Sequence, residues 1–330
     1  MISNTVSLSQ HSRPTPRRGD DTCRSRRRHR RDIQLSSLTD LLDLTETGPD
    51  RYAADTPAEG PPRLFGGQVA AQALRAATLS VDDDRTVHSL HSYFVRPGRP
   101  ATDLSLIVER IRDGRSFTTR RVTAVQEDKA IFVLDASFHV SEEGFDWNEP
   151  GPADVPDPEQ IPPRDPFSNM PAWAKKAAEE AAKASGGQNA TPSEMPKFRG
   201  PRAASLFELR PLRLGEDFSL HPAWVRVKES FSDDPALHAC ALTYISDMAV
   251  IRSAVAPGAP ISWGGASLDH AVWFHRPFRV DEWLLFSVDP VSNFGARGLA
   301  RGTFHNRDGE LVASFVQECL LRSTGMPPPP

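Results

Sequence analysis

The sequence predicts an α+β protein made of two tandem units, each a long helix wrapped by an antiparallel sheet. Three observations carry this. Eleven of the thirty prolines fall between Glu149 and Pro201 and divide the chain into two bodies, roughly 35–145 and 204–325. The two bodies repeat one order of elements. Within them, Ala-rich apolar runs that read as helices are each followed by segments that alternate apolar and polar residues as strands do.

Taken in chain order, residues 1–34 come first, with nine Arg against Asp20, Asp21 and Asp32. The formal charge of −4 therefore hides a local +6 and leaves −10 for the rest. The stretch RSRRRHRR (Arg24 to Arg31) can attract nucleic acid or an anionic surface, but it has no interleaved aromatics and no apolar period. Its low hydrophobicity and high charge predict a solvated, disordered tail. In the first body, LFGGQVAAQALRAATLSV (Leu64 to Val81) reads as a Gly-initiated helix, followed by the strand-like segments HSLHSYFVRPG and DLSLIVERIRDG and the hairpin RSFTTRRVTAVQEDKAIFVLDASFHV. The segment 146–203 is a proline-rich linker with one exposed helix, AWAKKAAEEAAKA (Ala172 to Ala184), because proline cannot sit inside a sheet. In the second body, the apolar run His238 to Val255 reads as one helix, followed by ASLDHAVWFHRPF, DEWLLFSVDPVSNF and the hairpin RGLARGTFHNRDGELVASFVQECLL. Arg96-Pro97 matches Arg276-Pro277, Gly114 matches Gly295, and the last hairpins turn through Glu127-Asp128-Lys129 and Asp308-Gly309. Two such units would join their sheets edge to edge. A short proline tail, 326–330, ends the sequence.

With 38% hydrophobic and 25% charged residues the chain reads as a soluble globular protein. It has no uncharged apolar run near the roughly 20 residues that span a bilayer, and no signal-like start. Cys23, Cys240 and Cys319 are odd in number and far apart, which fits reduced thiols and a cytoplasmic location rather than a disulfide framework.

Several polar residues do not fit the cores. Asp247 interrupts ALTYISDM, and steps of three and four residues from it reach Thr243, Tyr244, Val250 and Ile251. A carboxylate against such a face must be paired, hydrogen-bonded or functional. Helix-end capping and a contact with Arg252 are the ordinary alternatives, although a spacing of five suits an ion pair poorly. Alternation in the last strand puts Gln317 with Leu311, Ala313, Phe315, Cys319 and Leu321, the more apolar face, as a bonded core amide or as a site residue. Ser267 opens a strand after the flexible segment Ser262 to Gly265, where a local hydrogen bond is the ordinary reading. Asp269 and His270 are adjacent in a strand and point to opposite faces, so they do not form one acid–base pair. In FGGQ, residues Gly66, Gly67 and Gln68 make either a plain turn or a close approach to a helix N-terminus, where free N–H groups can meet an anion or a carbonyl oxygen.

No GxSxG elbow, Walker loop or dinucleotide loop occurs, and His88 with His91 is too sparse for a metal site; neither metal nor other cofactor is expected.

The segments LFGGQVAAQAL, VHSLHSYFVRPG, RDGRSFTTRRV and IFVLDASF, then ALTYISDM, ASLDHAVWFHRPF, DEWLL, DGELVAS and VQE, resemble in order the acyl-CoA thioesterase II family. The resemblance covers about 35–323. It implies a double hotdog fold, hydrolysis of acyl-CoA to free fatty acid and coenzyme A, and homo-oligomers. The family's catalytic Asp, Thr or Ser, and Gln fall on Asp247, Ser267 and Gln317, with Ser in place of the Thr of some members. The reaction this implies is direct attack of water on the thioester, with Asp247 as base or orienting group, Ser267 and Gln317 holding the water, and backbone N–H groups at a helix N-terminus stabilising the oxyanion. Gly66, Gly67 and Gln68 are the expected substrate contacts, with Arg112 and Arg115 beside the CoA phosphates. The alternative is a catalytically silent double hotdog that binds acyl-CoA; a binder needs none of the Asp, hydroxyl and Gln. A hydratase ranks low, since its Asp and His spacing is not matched. The C-terminal GMPPPP lacks an SKL-type peroxisomal address.

Overall fold

The computed structural model describes residues 37–56, 63–162, 206–212, 222–256 and 263–323. The expected Arg-rich tail 1–34, the helix Ala172 to Ala184 and the proline tail 326–330 lie outside these residues.

A single antiparallel sheet runs through both halves. The first half contributes β1 (Thr45–Gly48), β2 (Arg51–Ala54), β3 (Arg85–Phe94), β4 (Leu104–Asp113), β5 (Phe117–Gln126) and β6 (Lys129–Val140). The second contributes β7 (Phe207–Pro211), β8 (Ala223–Val227), β9 (Trp263–Ser267), β10 (Asp269–Phe274), β11 (Leu284–Phe294), β12 (Arg297–His305) and β13 (Leu311–Ser323). The spatial order is β1-β2-β4-β5-β6-β3-β10-β13-β12-β11-β8-β7, with β9 extending the sheet beside β13. The halves join where β3 pairs antiparallel with β10, from Asp269 opposite Tyr93 to Trp273 opposite Ser89. Edge-to-edge joining is thus observed. It satisfies the backbone groups of one edge of each half. The strands before each helix, β1–β2 and β7–β8, are additions that the sequence reading did not anticipate.

After α1 (Leu38–Leu42), two helices fill the inside of the curved sheet: α2 (Gly66–Thr78) and α3 (Pro235–Ser246). Ten of the thirteen residues of α2 are buried, and from His238 to Ser246 every residue of α3 is. Alanine at Ala70, Ala71, Ala73, Ala76 and Ala77, all 0% exposed, lets the helices and sheet approach closely. The helices run antiparallel. The start of α2 meets the end of α3, while Arg75 near the end of α2 pairs at 3.5 Å with Asp234, the N-cap of α3.

Two expectations are corrected. The run His238 to Val255 is not one helix: α3 ends at Ser246, Asp247 is its C-cap, and a short α4 (Val250–Ser253) follows. Ala249 has φ 60, a left-handed conformation that ends the first helix and redirects the chain. The segment before Ser267 is not a free connection either, since Trp263 to Ser267 form β9 along β13, from Ser267 opposite Cys319 to Trp263 opposite Ser323. A Cβ on Gly265 would lie 2.5 Å from Ile251 Cγ2 and 2.7 Å from the Leu320 carbonyl oxygen, so α4 can lie over β9 only because this residue is glycine.

The first part of the proline-rich segment is anchored to the second half. Trp224 Nε1 donates to the Pro156 carbonyl at 2.9 Å, Gly151 N donates to the Gly309 carbonyl at 3.1 Å, and Arg307 pairs with both Asp157 and Glu159. Below these contacts Trp224, Trp283 and Leu285 form a small second core against Val155 and Ile161.

Candidate active site

The start of α2 lacks the side-chain cap that usually satisfies the first N–H groups of a helix: its N-cap is Phe65, which offers none. The missing acceptor comes from 180 residues away, as Gly67 N donates to Asp247 Oδ2 at 2.7 Å. Asp247 therefore stands between two helix ends, an unfavourable place at the C-terminus of its own helix and a favourable one at the N-terminus of the other. The contact requires glycine. A Cβ on Gly66 would lie 2.7 Å from Asp247 Oδ2 and from a Phe94 ring carbon, and one on Gly67 would lie 2.6 Å from the Tyr244 carbonyl oxygen. Of the two readings of FGGQ, the close approach to a helix N-terminus is the one observed.

The sheet supplies the other oxygen's partners. Gln317 Nε2 donates to Asp247 Oδ1 at 2.9 Å and to Ser267 Oγ at 2.8 Å, and Ser267 Oγ donates to Asp247 Oδ1 at 3.1 Å. Asp247, Ser267 and Gln317, named separately from the sequence, thus form one hydrogen-bonded cluster. Gln317 is 0% exposed and lies on the apolar face of β13, as alternation predicts. Ser267 closes β9 instead of opening the next strand. Between β9 and β10 the register slips by one: Ser267 opposes Cys319, yet Ala271 opposes Val316. The extra residue, Leu268, is a β-bulge, and it turns both Ser267 and His270 inward although they are three residues apart. Asp269, still opposite Tyr93 on the β3 side, accepts a side-chain hydrogen bond from Glu318 N of β13 at 2.7 Å. Asp269 and His270 therefore do not share a face.

Burial pushes the Asp247 carboxyl up from 3.8 to about 6, against the opposing pull of Gln317, Ser267 and the Gly67 N–H. That value suits a group that must be ionised near neutral pH and still accept a proton. Tyr244, one helical turn earlier, is raised by burial and by the Asp247 charge beside it. Its ring meets Phe65 edge-on at 4.8 Å between centroids, so the carboxylate is set in an aromatic wall.

Gln68, in the first turn of α2, is 4% exposed, and its Nε2 has no hydrogen-bond partner among the described residues. Arg112 and Arg115 are not brought to the cluster. They flank the turn between β4 and β5, where Arg120 donates both to the Arg112 carbonyl and to the carbonyl of Ser80, just past the end of α2. They therefore belong to the end of α2 opposite Gly66 and Gly67, about 20 Å away for a helix of this length. Arg252 is five residues from Asp247 on the separate α4, and the carboxylate's partners are Gly67, Ser267 and Gln317. Sequence reasoning missed Ser246, and it weighed His270 only as a partner of Asp269; the two lie behind the cluster 2.7 Å from each other. The signal for Ser246 was a polar pair, Thr243 and Ser246, in a mostly apolar run.

The model of the family described as acyl-CoA thioesterase matches residues 203–320, and that of the acyl-CoA thioesterase N-terminal domain matches residues 53–139. The chain is 35% identical over 310 residues to acyl-coenzyme A thioesterase 8 of Mus musculus, covering 88% of this chain and 90% of that one. It is 32% identical to acyl-CoA thioesterase 2 of Haemophilus influenzae, covering 87% and 98%. The crystal structure of an acyl-CoA thioesterase II from Mycobacterium marinum superposes with a TM-score of 0.65 at 34% identity, over 87% of this chain and 99% of that one. A hotdog-fold protein from Alicyclobacillus acidocaldarius, 19% identical with a TM-score of 0.64, shares the fold. With both halves matched in order and a double hotdog architecture around one polar cluster, this chain belongs to the acyl-CoA thioesterase II family.

Proposed function

We propose that this protein hydrolyses fatty acyl-CoA to free fatty acid and coenzyme A by direct attack of water, with Asp247 as the base. The observation that carries this reading is the carboxylate itself: buried, held by three donors and poised at about 6. Ser267, the least buried of the three, is where a water can reach the cluster. That water gives its proton to Asp247 as its oxygen attacks the thioester carbon. The tetrahedral intermediate then expels the thiolate, and the protonated Asp247 returns the proton to sulfur. Base assistance is worth about 10²–10⁴-fold and each oxyanion donor about 10²–10³-fold. The Gly67 N–H is engaged by Asp247, so the oxyanion role passes to the remaining donors of the first turn of α2, the N–H groups of Gly66 and Gln68 and the unpartnered Gln68 Nε2.

The reading includes a cytoplasmic, homo-oligomeric enzyme. The free, buried thiols of Cys240 and Cys319 support a reducing compartment, and exposed aromatics such as Tyr93 at 65% and Phe294 at 83% support further association. Among the described residues no helix is long and apolar enough to cross a membrane.

The test is thiol release from acyl-CoAs of increasing chain length, with an acid quench and intact-mass analysis during turnover. Release without any acyl adduct on the protein supports direct water attack. An adduct on Ser267 would overturn the mechanism, and tight binding without release would make the protein an acyl-CoA binder.

A further inference from the structure

Behind the catalytic cluster lies a buried histidine that the mechanism does not use. His270 is 0% exposed, and its Nε2 is 2.7 Å from Ser246 Oγ at the end of α3. Continuing the β10–β13 register, Val272 opposite Phe315 and Ala271 opposite Val316, puts His270 directly across from Gln317 on the inward face. Side chains so paired have Cβ atoms about 5 Å apart. Two polar atoms in this space have no hydrogen-bond partner among the described residues: His270 Nδ1 and Gln317 Oε1.

The two orphans complete each other in only one arrangement. If the imidazole proton were on Nε2, it would go to Ser246 Oγ, and the Nδ1 lone pair would face the Gln317 carbonyl oxygen, leaving two buried acceptors opposed. With the proton on Nδ1, His270 donates to Gln317 Oε1, and Ser246 turns its one hydroxyl proton from the Thr243 carbonyl, 2.9 Å away, to Nε2 at 2.7 Å. Both orphaned side-chain atoms then have a partner.

We propose that His270 is a positioning residue of the thioesterase site: held by Ser246 as the neutral Nδ1–H tautomer, it fixes the Gln317 amide so that its NH₂ group faces Asp247 and Ser267. The idea rests on the roles proposed above for Asp247 and Gln317. A glutamine amide has two near-isosteric orientations. The wrong one would present a carbonyl oxygen to the Asp247 carboxylate and the Ser267 hydroxyl. His270 supplies the donor that excludes it, and its neutrality keeps a second charge out of the core. Burial lowers its pKa to about 4, with Gln317 acting in the opposite direction, as an acceptor beside the ring does. The groups facing it are uncharged: Ser246 on α3, Gln317 and Phe315 on β13, and Ser92 on β3, whose hydroxyl donates to the His270 carbonyl.

The test compares His270→Leu, His270→Asn and Gln317→Ala with wild type in kcat, KM and the acid limb of the pH–rate profile. An asparagine amide nitrogen can stand near the Nδ1 position, whereas leucine has no donor. His270→Leu is expected to lower kcat about tenfold, the weight of one buried hydrogen bond, with little change in KM. It should also move the acid limb to higher pH, since Asp247 loses a donor that favours its charged form. His270→Asn should restore both. Nitrogen-15 spectra of the wild-type imidazoles, with His270 assigned by its absence from the His270→Asn spectrum, should show the neutral Nδ1–H tautomer. An Nε2–H tautomer, or a His270→Leu enzyme with an unmoved acid limb, would overturn the proposal. Full activity in Gln317→Ala would instead overturn the reading of the site on which it rests.

Discussion

The two halves share strand order and register, yet the row of side chains beneath each helix is filled in opposite ways. In the first half Arg120, Ala136 and Leu90 stand side by side on β5, β6 and β3. In the second half the equivalent row is Ala300, Gln317 and His270 on β12, β13 and β10. Arg120, with a side chain 2% exposed, turns to the end of α2 and donates to the Ser80 carbonyl and hydroxyl, the Arg112 and Thr119 carbonyls and Asp113. It closes that helix end as a cap would. In the second half the small Ala300 leaves room for the Gln317 amide, and the end of α3 is given to a carboxylate. One row is a structural plug and its counterpart borders the cluster proposed above as the chemical site. The fold supplies two such places, and the residue opposite the sixth or thirteenth strand decides which one works.

The comparison is broken most strongly at the contact between the helices. Gly67→Ala puts a methyl 2.6 Å from the Tyr244 carbonyl and pushes the start of α2 away from Asp247. A loss of about 10²-fold or more in kcat/KM is expected, together with a lowered melting temperature. Wild-type activity would mean that the Asp247–Gly67 hydrogen bond is dispensable.

Removing the sheet's donors should have the next largest effect. Gln317→Ala and Ser267→Ala are each expected to cost about 10- to 10²-fold in kcat, with substrate affinity little changed. In wild type, activity should fall as pH drops through about 6, because the carboxylate must be ionised to take a proton and burial has raised it from 3.8. Each variant deletes a donor that favours the charged form, so its acid limb should lie at higher pH. Profiles that coincide with wild type would remove Gln317 and Ser267 from the electrostatics of the site.

Arg120→Leu sharpens the comparison from the other side. Loss of the buried guanidinium leaves the Ser80 carbonyl without its partner, and a destabilisation of about 2–4 kcal/mol in urea unfolding is expected. The kcat/KM of the folded variant should stay within about threefold of wild type. A loss as large as that of Gln317→Ala would show that the first half also takes part in the chemistry. The smallest effect concerns the thiols. Burial pushes Cys240 and Cys319 up to about 12, so native protein at pH 8 should resist alkylation at both positions, read by peptide mass mapping.

Much of this was legible in the sequence. The repeated order of elements foretold two joined sheets. Asp247 and Gln317 stood out because a carboxylate and an amide lay on faces that alternation and helical spacing marked as apolar. The two glycines after Phe65 left a plain turn and a close approach at a helix start as the two readings, and the second is the one observed. What was not legible has identifiable physical causes. The helix break after Ser246 depends on Ala249 adopting a left-handed conformation, which alanine does not advertise. The bulge at Leu268 inserts one residue into a ladder whose alternation otherwise looks regular, and so hides His270 on the Ser267 face. The strands β1, β2, β7 and β8 are only four or five residues long, too short for a period to show. Arg120 gave no signal as a buried residue, because most of its partners are backbone carbonyls, brought together only by the fold.

The most direct measurement is thiol release at saturating acyl-CoA by Asp247→Asn beside wild type, with a binding measurement on the variant. The account predicts undiminished binding and a kcat lower by about 10²-fold or more. Turnover at the wild-type rate by a variant that binds equally well would contradict it, leaving Asp247 as a helix-end cap and placing the chemistry elsewhere in the molecule.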